Sequence, residues 1–254
     1  MDRSSNAYTF IFAIIMVIVV GAVLAFTSIS LKEKQNANVK QEKMQNILYT
    51  VGVDSIEQNG ELVPLSRPLA EANFKKFITK QVALNNKGEV VENGDEAFET
   101  DLELAKEAGK PENEQKFPLY EAEVDGEKYY IIPLRGTGLW DAIWGYISLK
   151  DDVNTVKGVV FDHKGETTGL GGEITKAWFQ ERFADEKIFD SSGNLVGVSV
   201  VKGYGGGNNK DDNAVDAISG ATITGDGVTK MISKRLKYYL PYFKQQTDMK
   251  VAVK

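Results

Sequence analysis

Residues 7–26 read AYTFIFAIIMVIVVGAVLAF, an apolar run without a single charge. A helix of about 20 residues rises roughly 30 Å, the depth of a hydrocarbon core. Tyr8 stands at one end, where an amphipathic ring suits the interface. The run exceeds the roughly 7–15 residues of a signal-peptide core. Its basic lead-in is also weak, because Asp2 offsets Arg3. The pattern therefore predicts one uncleaved transmembrane anchor over residues 1–31. Lys32, Lys34, Lys40 and Lys43 follow it. Taken alone, that bias places the remainder of the chain in the cytoplasm.

The 254 residues leave room for one sizeable domain beyond the span. There is no cysteine, which excludes disulfides and cysteine-ligated iron–sulfur clusters. His163 is the sole histidine, so a His-rich metal site or a bis-histidine haem is excluded. A formal net charge of -6 carries no nucleic-acid footprint. Redox chemistry on such a chain has to come from an organic cofactor. The span itself holds no charged group of the kind that lines an ion path.

Residues 31–48 predict a helical stalk, with Val39, Lys43, Met44 and Ile47 near one face. Residues 32–117 read as stalk plus a polar, peripheral elaboration with short helices near 69–79 and 96–108. From residue 118 the texture changes, and 118–254 reads as one domain. Strands at 119–124 and 128–133 flank Asp125-Gly126, a strong hairpin signal. Further strands are expected at 142–149, 155–161 and 195–202, and a helix at 173–185. Val228, Met231, Ile232, Leu236 and Tyr239 give helical spacing over 224–239, with Pro241 as a stop. The order implies an α+β fold: one transmembrane helix, then a mostly antiparallel sheet packed with helices. The loop 203–209 is glycine-rich but lacks the dinucleotide fingerprint.

The stretch most suggestive of chemistry is Asp216-Ala-Ile-Ser219-Gly220-Ala221-Thr222, just before the last long helix. Ser219 and Thr222 offer hydroxyls, and Gly220 and Ala221 let a phosphate approach the backbone. Thr224 adds a further hydroxyl, and the helix start supplies unpaired N–H groups and a positive dipole end. The plainer alternative is a serine or threonine cap on a loop-to-helix turn. Trp140 by itself reads as a core residue, Lys202 as a solvated strand-end lysine, and His163 as a surface or loop residue.

Asp216-x-x-Ser219-Gly220-Ala221-Thr222 resembles the flavinylation motif of the FMN-binding domain family. Glu166-Thr167-Thr168-Gly169-Leu170-Gly171 is similar to that family's Glu-Thr-Pro-Gly-Leu-Gly segment, with Thr168 where proline is common. Gly136-Thr137-Gly138-Leu139-Trp140 resembles its Gly-x-Gly-Leu-Trp turn. The three blocks stand in the family's order. The resemblance implies FMN joined by its phosphate to Thr222, through a flavin transferase that uses FAD and Mg²⁺. It makes Asp216 and Ser219 recognition residues. Leu139, Trp140 and Leu170 are expected at the ring. Glu166, Thr167, Gly171 and Lys202 are expected near the ring, the ribityl chain or the phosphate. No residue is read as catalytic or metal-ligating.

The chain is more similar still to the C subunits of Na⁺-translocating NADH:quinone oxidoreductases, with the Rnf G subunits as nearest relatives. That resemblance implies a one-electron relay in a bacterial inner-membrane complex of six subunits. It places the soluble domain on the periplasmic side, against the lysine count. A stand-alone membrane-tethered flavin module and a flavin-free anchor domain remain the alternatives.

Overall fold

A computed structural model of the chain describes residues 5–207 and 209–246. Asp2 and Arg3 of the lead-in, and Asn208 of the glycine-rich loop, lie outside the described residues. The chain divides into two compact units, 1–42 and 43–254.

Helix α1 runs from Asn6 to Thr50, taking in both the apolar run and the stalk. It is long and apolar enough to cross a membrane. Phe10, Ile14, Ile18, Val23 and Phe26 are all exposed along it. Apolar residues exposed all round suit lipid and not a protein core.

The second unit is built on a six-stranded antiparallel sheet. Its strands are β3 (Ile78–Leu84), β4 (Val90–Asn93), β5 (Phe117–Val124), β6 (Glu127–Thr137), β7 (Ala142–Lys150) and β8 (Val156–His163), in the order β4-β3-β5-β6-β7-β8. A separate hairpin pairs β1 (Ser55–Gln58) with β2 (Glu61–Pro64). The β5–β6 turn is Asp125-Gly126, both at positive φ (54° and 80°), as a two-residue hairpin demands.

The sheet has a core on each face. Tyr130, Ile132 and Leu134 of β6 pack with Val228, Met231 and Ile232 of α6 (Thr222–Lys237). Tyr129 and Ile131 of the same strand pack with Ile47 and Leu48 of α1, Phe74 of α2 (Arg67–Phe77) and Phe98 of α3 (Asp95–Leu102). Each such large side chain removed from water contributes about 1.5–3 kcal/mol. Residues 52–116 thus supply two strands of the six-stranded sheet, the separate β1–β2 hairpin and part of the cover of the second face, beyond the short helices that sequence alone indicates. The second of those helices is broken into α3 and α4 (Leu104–Glu107).

Three other elements differ from expectation. The helix expected at 173–185 is a 3₁₀ turn at Gly171–Thr175, a single α turn, α5 (Ala177–Gln180), and a second 3₁₀ turn at Glu181–Phe183. Phe179 and Phe183 still pack on Phe161 of β8, so broken turns satisfy the same apolar spacing. The strand expected at 195–202 shrinks to β9 (Ser199–Val201), because Gly197 turns the chain at φ 75°. It pairs in parallel with β10 (Ala214–Asp216). The helix α6 ends at Lys237, ahead of Pro241 as expected, but a further short helix follows that contains the proline. Pro241 is the second residue of α7 (Leu240–Gln246), in the first turn, where a missing N–H costs nothing.

Two close approaches fix α6 on the sheet. A Cβ on Gly227 would lie 2.4 Å from the Thr137 carbonyl oxygen, and one on Gly136 would lie 2.8 Å from Met231 Cβ. The start of α6 is thereby held beside the end of β6. Thr229 holds β9 to the same helix, accepting the Val200 N–H at 2.9 Å.

Candidate flavin site

Three segments meet at the first turn of α6. Residues 218–221 make a turn closed by the Ala221 N–H on the Ile218 carbonyl at 3.1 Å. Gly220 sits there at φ 76°, where a side chain is disfavoured, and a Cβ on it would lie 2.7 Å from Leu170 Cδ2. Ala221 is the N-cap of α6 and offers no side-chain acceptor, so the first N–H groups of the helix stay uncapped by a side chain. The first turn carries no acidic residue.

The second segment is the loop after β8. Leu170 and Gly172 donate their N–H groups to the Thr167 carbonyl at 3.1 and 2.9 Å, folding the loop back on itself. The Gly169 N–H donates to Glu173 at 3.0 Å. The third segment is the turn between β6 and β7, closed by the Gly138 N–H on the Asp141 carbonyl at 2.9 Å.

Together they wall a cleft of about 250 Å³. Its lining holds Leu139, Glu166, Thr167, Leu170, Gly171, Lys202, Gly220, Ala221, Thr222 and Thr224, all named from the sequence. Trp140 lies beside it, 68% exposed, and its indole N–H donates to Thr167 Oγ1 at 3.3 Å. It is therefore not the core residue that its type alone suggests. Asp216 and Ser219 do not line the cleft. Asp216 borders a larger, open cleft of about 620 Å³ with Trp178, Arg182 and Lys210. Its carbonyl accepts a hydrogen bond from Arg182 at 2.6 Å. The smaller cleft is the chemically organised one, because the three sequence blocks converge on it.

Two residues do more at this site than the sequence indicates. Ile223 lines the cleft and is 57% exposed. Its signal was present: it is an apolar residue off the buried stripe of α6. His163 takes the Glu166 N–H on Nδ1 at 3.1 Å and so anchors the start of the second segment.

The hydroxyls differ in what they do. Thr224 is buried and its Oγ1 donates to Glu166 at 2.6 Å. Ser219 is exposed and outside the cleft. Thr222 is exposed, lines the cleft, and makes no side-chain hydrogen bond to a described residue. Lys202 is the one cation among the described lining residues. Burial alone would raise the Glu166 carboxyl. The Thr224 hydroxyl and the N–H groups of Trp140, Asp141 and Leu139 outweigh it and hold the group below its usual range.

An unspent hydroxyl at an uncapped helix start, a nearby lysine and apolar walls suit a phosphorylated aromatic cofactor, and a model of the FMN-binding domain matches residues 138–237. The matched span takes in all three segments.

Most of the chain is similar to the C subunit of the Na(+)-translocating NADH-quinone reductase of Pseudomonas aeruginosa, 28% identical over 91% of each chain. The corresponding C subunit of Vibrio parahaemolyticus is 30% identical over 83% of each chain. Among solved structures, the C subunit of Parabacteroides distasonis superposes with a TM-score of 0.71 at 37% identity, over 85% of this chain and 98% of that one. NqrC of Shewanella oneidensis gives 0.67 at 25% identity, over 83% and 99%. The chain belongs to the family of Na(+)-translocating NADH-quinone reductase C subunits.

Proposed function

We propose that this chain is the membrane-anchored, FMN-carrying C subunit of a Na⁺-translocating NADH:quinone reductase, with the flavin joined through its phosphate to Thr222. The observation that carries the attachment is that, of the hydroxyls of Ser219, Thr222 and Thr224, Thr222 alone both lines the cleft and is unspent. FMN supplies reversible one-electron chemistry when bound. The protein's part is to hold it: Leu139, Leu170 and Ile223 offer apolar surface, Trp140 a stacking plane, and Lys202 a cation.

Attachment is a phosphoryl transfer. The Thr222 Oγ–P bond forms as the pyrophosphate P–O bond of FAD breaks. AMP leaves, and the hydroxyl proton passes to a base of the flavin transferase. The helix start favours the phosphate through its N–H groups and dipole. Partners on this reading are the five other subunits of the complex and the transferase. The anchor lies in the inner membrane with the domain on the periplasmic side, where the transferase acts.

Intact mass of the purified full chain tests the attachment. The expected gain is the mass of FMN less one water, lost in Thr222→Ala, with yellow colour retained after denaturation of the parent. A colourless, unmodified natively expressed parent overturns it. Purification without companion subunits, with Na⁺-dependent NADH:quinone activity intact after deletion, overturns the relay role.

A further inference from the structure

We propose that Glu166, which lines the flavin cleft, is a positioning residue that clasps its three walls and fixes their spacing. Both carboxylate oxygens are engaged from inside the protein. One accepts the Trp140 N–H at 2.9 Å and the other accepts the Thr224 hydroxyl at 2.6 Å. The residue is only 6% exposed and makes no ion pair with a described residue. Its charge is held by dipoles alone, and those dipoles belong to two different walls.

The third wall is the loop that Glu166 begins. Its own N–H is fixed on His163 Nδ1 at 3.1 Å. A single side chain thus joins the β6–β7 turn, the post-β8 loop and the start of α6. Two glycines make room for it. A Cβ on Gly138 would lie 2.5 Å from one Glu166 oxygen, and one on Gly171 would lie 2.4 Å from the other and 2.4 Å from Thr224 Oγ1. Glycine at these positions is a steric requirement of the clasp. Any side chain there would displace the carboxylate or push the walls apart.

The spectroscopic part of this inference rests on the flavin reading above, and the test keeps the two separable. Hydrogen exchange by mass spectrometry on the detergent-solubilised full chain, in a flavin-free Thr222→Ala background, reads the walls directly. Glu166→Gln should speed exchange at least about tenfold in 138–142 and 222–226 and leave the β5–β6 hairpin unchanged. Thr224→Val cuts only the α6 arm and should loosen 222–226. The double variant should be no worse than Glu166→Gln alone, since both act on one network.

In the flavin-loaded chain, Glu166→Gln should raise iodide quenching of flavin fluorescence at least about twofold under conditions where circular dichroism shows the domain fully folded. Unchanged exchange in both wall segments overturns the clasp. Equal loosening of the whole domain overturns it as well. So does altered exchange with unaltered quenching in a flavin-loaded chain. A parent that carries no flavin overturns the attachment reading, while the exchange experiment still decides the clasp.

Discussion

Lys43 places its ammonium 2.8 Å from a carboxylate oxygen of Asp101, a residue with no exposed surface. Tyr120 and Tyr146 donate their hydroxyls to the other oxygen, each at 2.8 Å. Burial, and then the neighbouring carboxylate, push both phenols well above their ordinary value, so they remain donors. Lysine removal strands a buried carboxylate on two neutral donors. Lys43→Met should lower stability by about 3 kcal/mol, and Lys43→Met with Asp101→Asn by less. Urea midpoints of the solubilised full chain measure both. Equal losses would show that the charge is not what matters.

Gly227 sets the seat of α6. The Cβ of Gly227→Ala would meet a backbone oxygen, which cannot rotate away. The expected cost is about 2 kcal/mol, with a reduced fraction of flavin-bearing chains by intact mass. A variant as stable as the parent and equally loaded would mean that the helix has slack over the sheet.

The clasp has a pH signature whose sign follows from its donors. Glu166 in the folded chain lies below its ordinary value, whereas the unfolded carboxyl titrates near about 4.3. Its stabilisation is complete above that unfolded value and is lost as pH falls through the lower folded value. The stability gap between the parent and Glu166→Gln should stay flat from about pH 8 to 5 and shrink below about pH 4. A gap that grows on acidification would contradict the assignment of acceptor and donors.

Sidedness is tested by protease. The soluble domain should be digested in intact spheroplasts. Digestion only after lysis would return the domain to the cytoplasm, as Lys32, Lys34, Lys40 and Lys43 suggest by themselves.

The parts of the fold legible in the sequence are those where one local signal suffices. Asp125-Gly126 announced its hairpin, and the spacing of Val228, Met231, Ile232 and Leu236 announced α6. β3 was missed because Thr79, Lys80 and Gln81 give its first half a polar, loop-like look, while Val82, Ala83 and Leu84 alone are too short to signal a strand. Nothing near Pro241 distinguishes a stop from a first turn; the difference lies in Tyr239, Tyr242 and Phe243, which are buried by strands far away in sequence. At the site, motif resemblance pointed to most of the residues that line the cleft, and also to Asp216 and Ser219, which do not. It could not say that Thr224 faces inward to Glu166 and Thr222 outward, since that depends on the helix beginning at 222.

The strand β6 serves two interiors at once: Tyr129 and Ile131 go to one, Tyr130, Ile132 and Leu134 to the other. A slip by one residue would exchange the two sets, and every exchanged side chain would still meet hydrocarbon. Polarity therefore exerts little penalty against sliding along this strand. Keeping it in step falls to the length of the tight turn at 125–126 and to close approaches such as that of Gly227 to the Thr137 carbonyl. One residue inserted at that turn would shift the alignment of the central strands, and with it the place where the β6–β7 turn that walls the flavin cleft begins.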